Sequence, residues 1–270
     1  MRARHHITRR GLGAVALGAA AALAGAGAAH GQGQGQNRPR LRFAVEGANP
    51  PWNFVTPQGQ VAGIDVEIAN ELCRRLDVTC EISAQAWDGI IPGLIANRFD
   101  AIIAGMAMTP ARRERVAFTD QYRRIISSFI ARRGAFTDIS PQALRGRRIG
   151  VQRGASQHVW LQASGYEQTA TIVLYDTVGG PELDLIAGRV DLIVMNKITA
   201  HLGLMQRPEA RNLEFVGPEL AGGVLGDGAG IALRKEDTAL QARLNRALAE
   251  MTADGTLPRI YERHIPFRML

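Results

Sequence analysis

Ile64, Ile68, Leu72 and Leu76 recur every four positions, and Ala69 and Cys73 widen the same stripe. This spacing predicts an amphipathic helix buried on one face, with Asp65 placed as its N-cap. A second stripe, Leu240, Leu244, Ala247, Leu248 and Met251, predicts a helix over 239–251 that stops at Asp254-Gly255. Leu41-Arg42-Phe43-Ala44-Val45 and Arg148-Ile149-Gly150-Val151 read as short strands, each ending at a loop that leads away from its sheet.

The pattern also repeats. Leu94-Ile95-Ala96-Asn97-Arg98-Phe99-Asp100-Ala101-Ile102-Ile103 is echoed by Leu185-Ile186-Ala187-Gly188-Arg189-Val190-Asp191-Leu192-Ile193-Val194. In both copies the end of a helix passes through Asn or Gly into a buried apolar strand. Strand, helix-bearing stretch and second strand, found twice, predict two α/β lobes with parallel strands.

The N-terminus breaks from this pattern. Arg2, Arg4, Arg9 and Arg10 precede an acid-free apolar run from Leu12 to Ala29, closed by Ala26-Gly27-Ala28. A basic start, an apolar middle and a small-residue exit describe a cleaved export signal over 1–31. Thr8-Arg9-Arg10-Gly11-Leu12 gives it a twin-arginine character. No cysteine directly follows the apolar run, the first in the chain being Cys73, so no lipid anchor is expected and the mature chain should sit free in the periplasm. Gly31-Gln32-Gly33-Gln34-Gly35-Gln36-Asn37 is a low-complexity stretch expected to stay disordered; it forms most of a flexible linker over 32–40, and the folded part should begin near Arg40.

That reading changes the meaning of the charge. The whole chain of 270 residues carries 32 Lys and Arg against 25 Asp and Glu, a net +7. Without the signal's four arginines, 28 bases face 25 acids, a net +3. The remaining arginines are spread along the chain, so a nucleic-acid partner is not expected. Cys73 and Cys80 form the C-x6-C pair of an exported chain, which reads as a structural disulfide. None of His5, His6, His30, His158, His201 and His264 has metal-ligand spacing with another. Gly226-Asp227-Gly228-Ala229-Gly230 leads into the strand-like Ile231-Ala232-Leu233 and not into a helix, so it is no dinucleotide fingerprint. No cofactor or metal is expected.

Several segments carry a family likeness together, in order over 41–267. They are Glu46-Gly47-Ala48-Asn49-Pro50-Pro51-Trp52-Asn53-Phe54, Gly63-Ile64-Asp65-Val66-Glu67-Ile68-Ala69, and Phe99-Asp100-Ala101-Ile102-Ile103-Ala104-Gly105-Met106. Thr109, Arg112-Arg113, Phe118-Thr119-Asp120, Leu144-Arg145-Gly146-Arg147-Arg148-Ile149-Gly150-Val151, Gly154, Leu233-Arg234-Lys235-Glu236-Asp237 and Ala253-Asp254-Gly255-Thr256 continue it. The chain resembles the family 3 solute-binding proteins, periplasmic receptors of polar amino-acid ABC importers. Within that family the cysteine pair, Ala86-Trp87-Asp88-Gly89-Ile90-Ile91-Pro92 and Met106-Ala107-Met108-Thr109-Pro110-Ala111-Arg112 are similar to the lysine/arginine/ornithine, histidine and above all opine receptors.

The resemblance implies an α/β periplasmic-binding-protein fold, two lobes joined by two hinge crossovers near Tyr122–Ile126 and Gly222–Gly228. Lobe 1 would comprise 41–124 and 222–270, and lobe 2 would be 125–221. It also implies a monomeric receptor for an amino acid or opine, working with an inner-membrane ABC permease. Arg112 aligns with the family's carboxylate-binding arginine, assisted by backbone N–H groups at Ala107 and Gly105, with Ser156 reaching the same carboxylate from the second lobe. Trp87 would wall the ligand, and Glu46 would face a distal cation beside Gln152. Asn49, Trp52, Ala104 and Ala155 complete the implied set. Asn196 stands where many members place an Asp for the α-ammonium. An amide is the weaker partner there, which points to a substituted amine or to extra anionic groups for Lys197. The Arg123-Arg124 pair at the hinge is a further departure.

Two other functions compete. An exported enzyme on the same scaffold, similar to cyclohexadienyl dehydratases, would need a catalytic carboxylate, and Glu46 is the obvious candidate. A membrane-kinase sensor domain would need a C-terminal transmembrane helix, and the sequence up to Leu270 shows none.

Overall fold

The computed structural model describes residues 38–265, so the segment expected to be an export signal and most of the expected linker lie outside the described residues. Strand β1 (Arg40–Val45) leads into a small antiparallel sheet of β2 (Ala48–Asn49), β3 (Asn53–Val55) and β4 (Val61–Ala62). Helix α1 (Ile64–Leu76), β5 (Thr79–Ala84), α2 (Trp87–Ile95), β6 (Ala101–Ile102), α3 (Pro110–Arg113) and β7 (Ala117–Phe118) follow. The chain then enters a second unit. It comprises β8 (Ser127–Arg132), β9 (Arg148–Gln152), α4 (Ser156–Ala163), β10 (Thr171–Tyr175), α5 (Gly179–Ile186), β11 (Leu192–Asn196), α6 (Lys197–Leu202) and β12 (Leu213–Leu220). Finally β13 (Ala232–Leu233), α7 (Thr238–Ala253) and α8 (Thr256–Glu262) close the fold.

Each lobe is built on a five-stranded sheet, β5-β1-β6-β13-β7 in one and β10-β9-β11-β8-β12 in the other. In the first, β1 pairs in parallel with β5 and β6, while β13 runs antiparallel between β6 and β7. In the second, β9 pairs in parallel with β10 and β11, while β8 runs antiparallel between β11 and β12. The two helix-to-strand echoes are α2 to β6 and α5 to β11, and they occupy equivalent places. Each core lies where these strands meet their helices. Phe43, Ile68, Leu72 and Leu244 pack in the first, and Phe129, Ile149, Leu161 and Val194 in the second.

Two crossovers connect the sheets, and they run side by side. Ala229 donates its N–H to the Arg123 carbonyl (2.9 Å) and accepts the Tyr122 N–H (3.0 Å). Ala229 also bridges to Ala107 in the first lobe.

One local expectation is corrected. Asp65 does not cap α1, whose N-cap is Gly63. The N–H groups of Ile64 and Asp65 donate to the carbonyls of Pro51 (3.1 Å) and Trp52 (2.8 Å), so the helix start is satisfied by backbone. A Cβ on Gly63 would lie 2.5 Å from the Trp52 oxygen, and its φ of 116° is open to glycine. Asp65 therefore turns inward and is fully buried, accepting from Asn53 Nδ2 (2.8 Å) and Tyr122 Oη (2.9 Å). At the other end of α1, a disulfide joins Cys73 to Cys80 of β5, with the Cα atoms 5.6 Å apart. Among the described residues no helix is long and apolar enough to cross a membrane.

Candidate functional site

Parallel strands aim their C-terminal ends at a common crevice, where α/β folds hold their ligands. Here the loops after β1 and β6 face those after β9 and β11 across a polar cavity between the lobes. The cavity is small, about 70 Å³, and a wider apolar space of about 500 Å³ adjoins it past Trp87, Arg112 and Ser156. Ten of the residues singled out from the sequence line it: Asn49, Trp87, Ala104, Gly105, Ala107 and Arg112 from one lobe, and Gln152, Ala155, Ser156 and Asn196 from the other.

Arg112 is set by the short helix α3, where the Thr109 side chain caps the N-terminus by accepting the Arg112 N–H. Its guanidinium donates to the Ala107 carbonyl (3.0 Å) and, across the cleft, to the Gly154 carbonyl (3.1 Å). Cζ lies 5.1 Å from the centre of the Trp87 ring. Burial with no carboxylate beside it lowers the Arg112 pKa to about 10. An arginine held only by carbonyls and a ring is short of an anion. Opposite it, α4 presents the first-turn N–H groups of an eight-residue helix with Ser156 at its head.

Glu46 and Trp52 do not line the cavity. The Glu46 carboxylate is 7% exposed and accepts a 2.5 Å hydrogen bond from Gln152 Nε2, so Gln152 stands between it and the cavity. Burial pushes the Glu46 carboxyl up to about 7, and the Gln152 bond opposes this only in part. Trp52 is fully buried, with its indole N–H donating to Thr199 Oγ1 of the other lobe (2.9 Å). It is an interlobe core residue because its large ring needs burial and its one donor finds a partner there.

The remaining corrections concern hydrogen-bond supply. The Gly105 N–H donates to Tyr122 Oη (2.8 Å), so it is already used and is not free for a carboxylate. Asn196 Oδ1 caps α6, accepting from the N–H groups of Ile198 and Thr199, both at 3.0 Å, and from the Thr199 hydroxyl. That leaves its amide N–H pair, a donor, for the cavity. Lys197 points elsewhere: its Nζ pairs with Glu219 (2.6 Å) and lies over Phe215.

Arg123, noted in the sequence only as a departure at the hinge, lines the cavity and is 2% exposed. Its guanidinium carbon sits 3.5 Å over the centre of the Trp52 ring. No sequence pattern marks it, because arginine in a crossover segment ordinarily points to solvent, as Arg124 does. Gln157, Ile125, Val178, Pro181 and Met195 also line the cavity and carry no local motif. The lobes touch through Gln152–Glu46, Arg112–Gly154 and Trp52–Thr199, so the structure is the closed form. Among the described residues no group of three His, Cys, Asp or Glu is placed to hold a metal ion.

Two α/β lobes, two adjacent crossovers and a polar cavity shut between them define a hinged small-molecule receptor. The chain belongs to the bacterial extracellular solute-binding proteins, family 3, whose family model matches residues 41–267. It is 33% identical over 228 residues to an L-arginine-binding protein of Pseudomonas aeruginosa, covering 84% of this chain and 88% of that protein. It is also 33% identical over 225 residues to an octopine-binding periplasmic protein of Rhizobium meliloti, covering 75% and 76%. Among solved structures, an ancestral arginine-binding protein bound to arginine superposes with a TM-score of 0.77 at 31% identity, covering 84% of this chain and 99% of that one.

Proposed function

We propose that this protein is a monomeric periplasmic receptor that captures a polar amino acid or opine between its lobes and delivers it to an ABC permease. The observation that carries the reading is Arg112. It reaches carbonyls of both lobes at once, at Ala107 and Gly154, and is paired with no carboxylate. A ligand carboxylate would take up that guanidinium bidentately and meet Ser156 and the α4 N-terminus from the other side. Such a ligand bonds both lobes only when they are closed, which is how binding drives closure. Asn49 Oδ1 is buried in the cavity wall without a donor, and an amine N–H would supply one. A guanidinium or ammonium tail would run toward Gln152 and the Glu46 behind it. Binding is favoured over catalysis because Glu46, the acid a dehydratase-like reading relies on, sits behind Gln152.

A thermal-shift screen of the mature protein against amino acids, octopine and nopaline tests this. A compound at 100 times its Kd stabilises by about 2.7 kcal/mol, and Arg112→Ala should remove that shift. No shift with any amino acid or opine would overturn the reading.

A further inference from the structure

The cavity holds a second guanidinium, two of whose nitrogens find no hydrogen-bond acceptor in the receptor itself. Arg123 is almost wholly buried on the hinge crossover, and its Nε and Nη1 have no hydrogen-bond acceptor. One face is covered by Trp52. Its Nη2 lies over Gly105, where even a Cβ would come within 1.5 Å, so this glycine is what lets the arginine reach the cavity wall. Asp65 is the nearby buried carboxylate; it accepts from Asn53 and Tyr122, makes no hydrogen bond or close ion pair with Arg123, and attracts it electrostatically without satisfying its Nε and Nη1. A buried cation with idle N–H groups is costly until an anion arrives.

Two other features of the wall point the same way. Asn196 offers the cavity a donor, because its oxygen caps α6. Glu46, behind the cavity wall, is covered by Gln152. The lining therefore presents two arginines and an amide donor, and no free carboxylate.

We propose, building on the receptor reading above, that Arg123 binds a second anionic group, so that the cavity selects amino-acid derivatives carrying two carboxylates over ordinary monocarboxylate amino acids. Arg112 takes one carboxylate against α4. Arg123 takes the other from the hinge side, within reach of the Asn196 amide. The amine between them donates to Asn49. Because Arg123 sits on the crossover itself, the second carboxylate also ties ligand recognition to the hinge.

The test is isothermal titration of the mature chain with two matched pairs, octopine with arginine and glutamate with glutamine. The members of each pair differ by one carboxylate. In at least one pair the dicarboxylate should bind roughly 30-fold or more tightly than its partner. Arg123→Met should collapse that ratio toward one, while Arg124→Met, on the exposed neighbour, should leave it intact. The inference is overturned if a monocarboxylate amino acid is the tightest ligand, or if the preference survives Arg123→Met; the receptor reading then stands. Failure of every amino acid and opine to bind overturns both. Should Arg123→Met not fold, the wild-type ratios decide the matter alone.

Discussion

Glu46 shows how burial sets a residue's chemistry. Its carboxyl is raised from an ordinary 4.5 to about 7 because water is excluded and Gln152 supplies one hydrogen bond where an ion pair would be needed. Between those two values the folded protein holds a proton that the unfolded chain has released, so this group's contribution favours folding at low pH and is lost as pH rises to 7. The full difference is about 3 kcal/mol. Urea unfolding at pH 4.5 and pH 8 should show Glu46→Gln gaining on the wild type by that amount at the higher pH. A constant difference across the range would mean that Glu46 titrates normally. Asp65 and Glu182, also raised by burial, act in the same direction but are common to both proteins and cancel. The same residue marks a limit of sequence reading. The family likeness placed Glu46 against a ligand's distal cation, but the glutamine that covers it, Gln152, lies 106 residues away in sequence and meets it only through lobe closure.

At the scale of elements, what was legible followed periodicity. The four-residue spacing from Ile64 to Leu76 marks α1 as observed, and the doubled helix-to-strand pattern marks α2–β6 and α5–β11. Caps were less legible, because backbone carbonyls can replace a side chain, as Pro51 and Trp52 do for Asp65. Asn196 is the converse: a residue read as a ligand contact that spends its oxygen on α6. Asn196→Ala should therefore cost about 1 kcal/mol of stability through the lost cap. Asn196→Asp should keep the cap, place a negative charge in the cavity and strengthen binding of a free α-amino acid such as arginine. Equal losses of stability in both variants would mean that the side chain does not cap. The disulfide between α1 and β5 is a separate staple. Replacing both cysteines by serine should lower stability by roughly 2.5 kcal/mol, read from denaturant midpoints, with ligand affinity retained because neither cysteine lines the cavity.

On the scale of the whole molecule, function depends on two lobes that meet through a few polar contacts and through Ile198 and Leu202 of α6, which pack against the first lobe's core. Closure brings Arg112 of α3 to Gly154, Gln152 at the end of β9 to Glu46, and Trp52 to Thr199 of α6, and each pair spans the cleft. Two similar lobes could be read from the internal echo; the family likeness implied crossovers near Tyr122–Ile126 and Gly222–Gly228, and the observed pairing joins Tyr122 and Arg123 to Ala229, just past the second segment. The buried orientation of Arg123 could not be read, since it depends on Gly105, Trp52 and the neighbouring crossover strand at Ala229 being brought together by the fold. Small-angle X-ray scattering of the mature protein, with and without a saturating amount of the compound that gives the largest thermal shift, tests the closing receptor most directly. The radius of gyration should be larger without ligand and contract on binding to the value calculated for the closed form. An unchanged radius, with binding confirmed in the same sample, would contradict capture by closure.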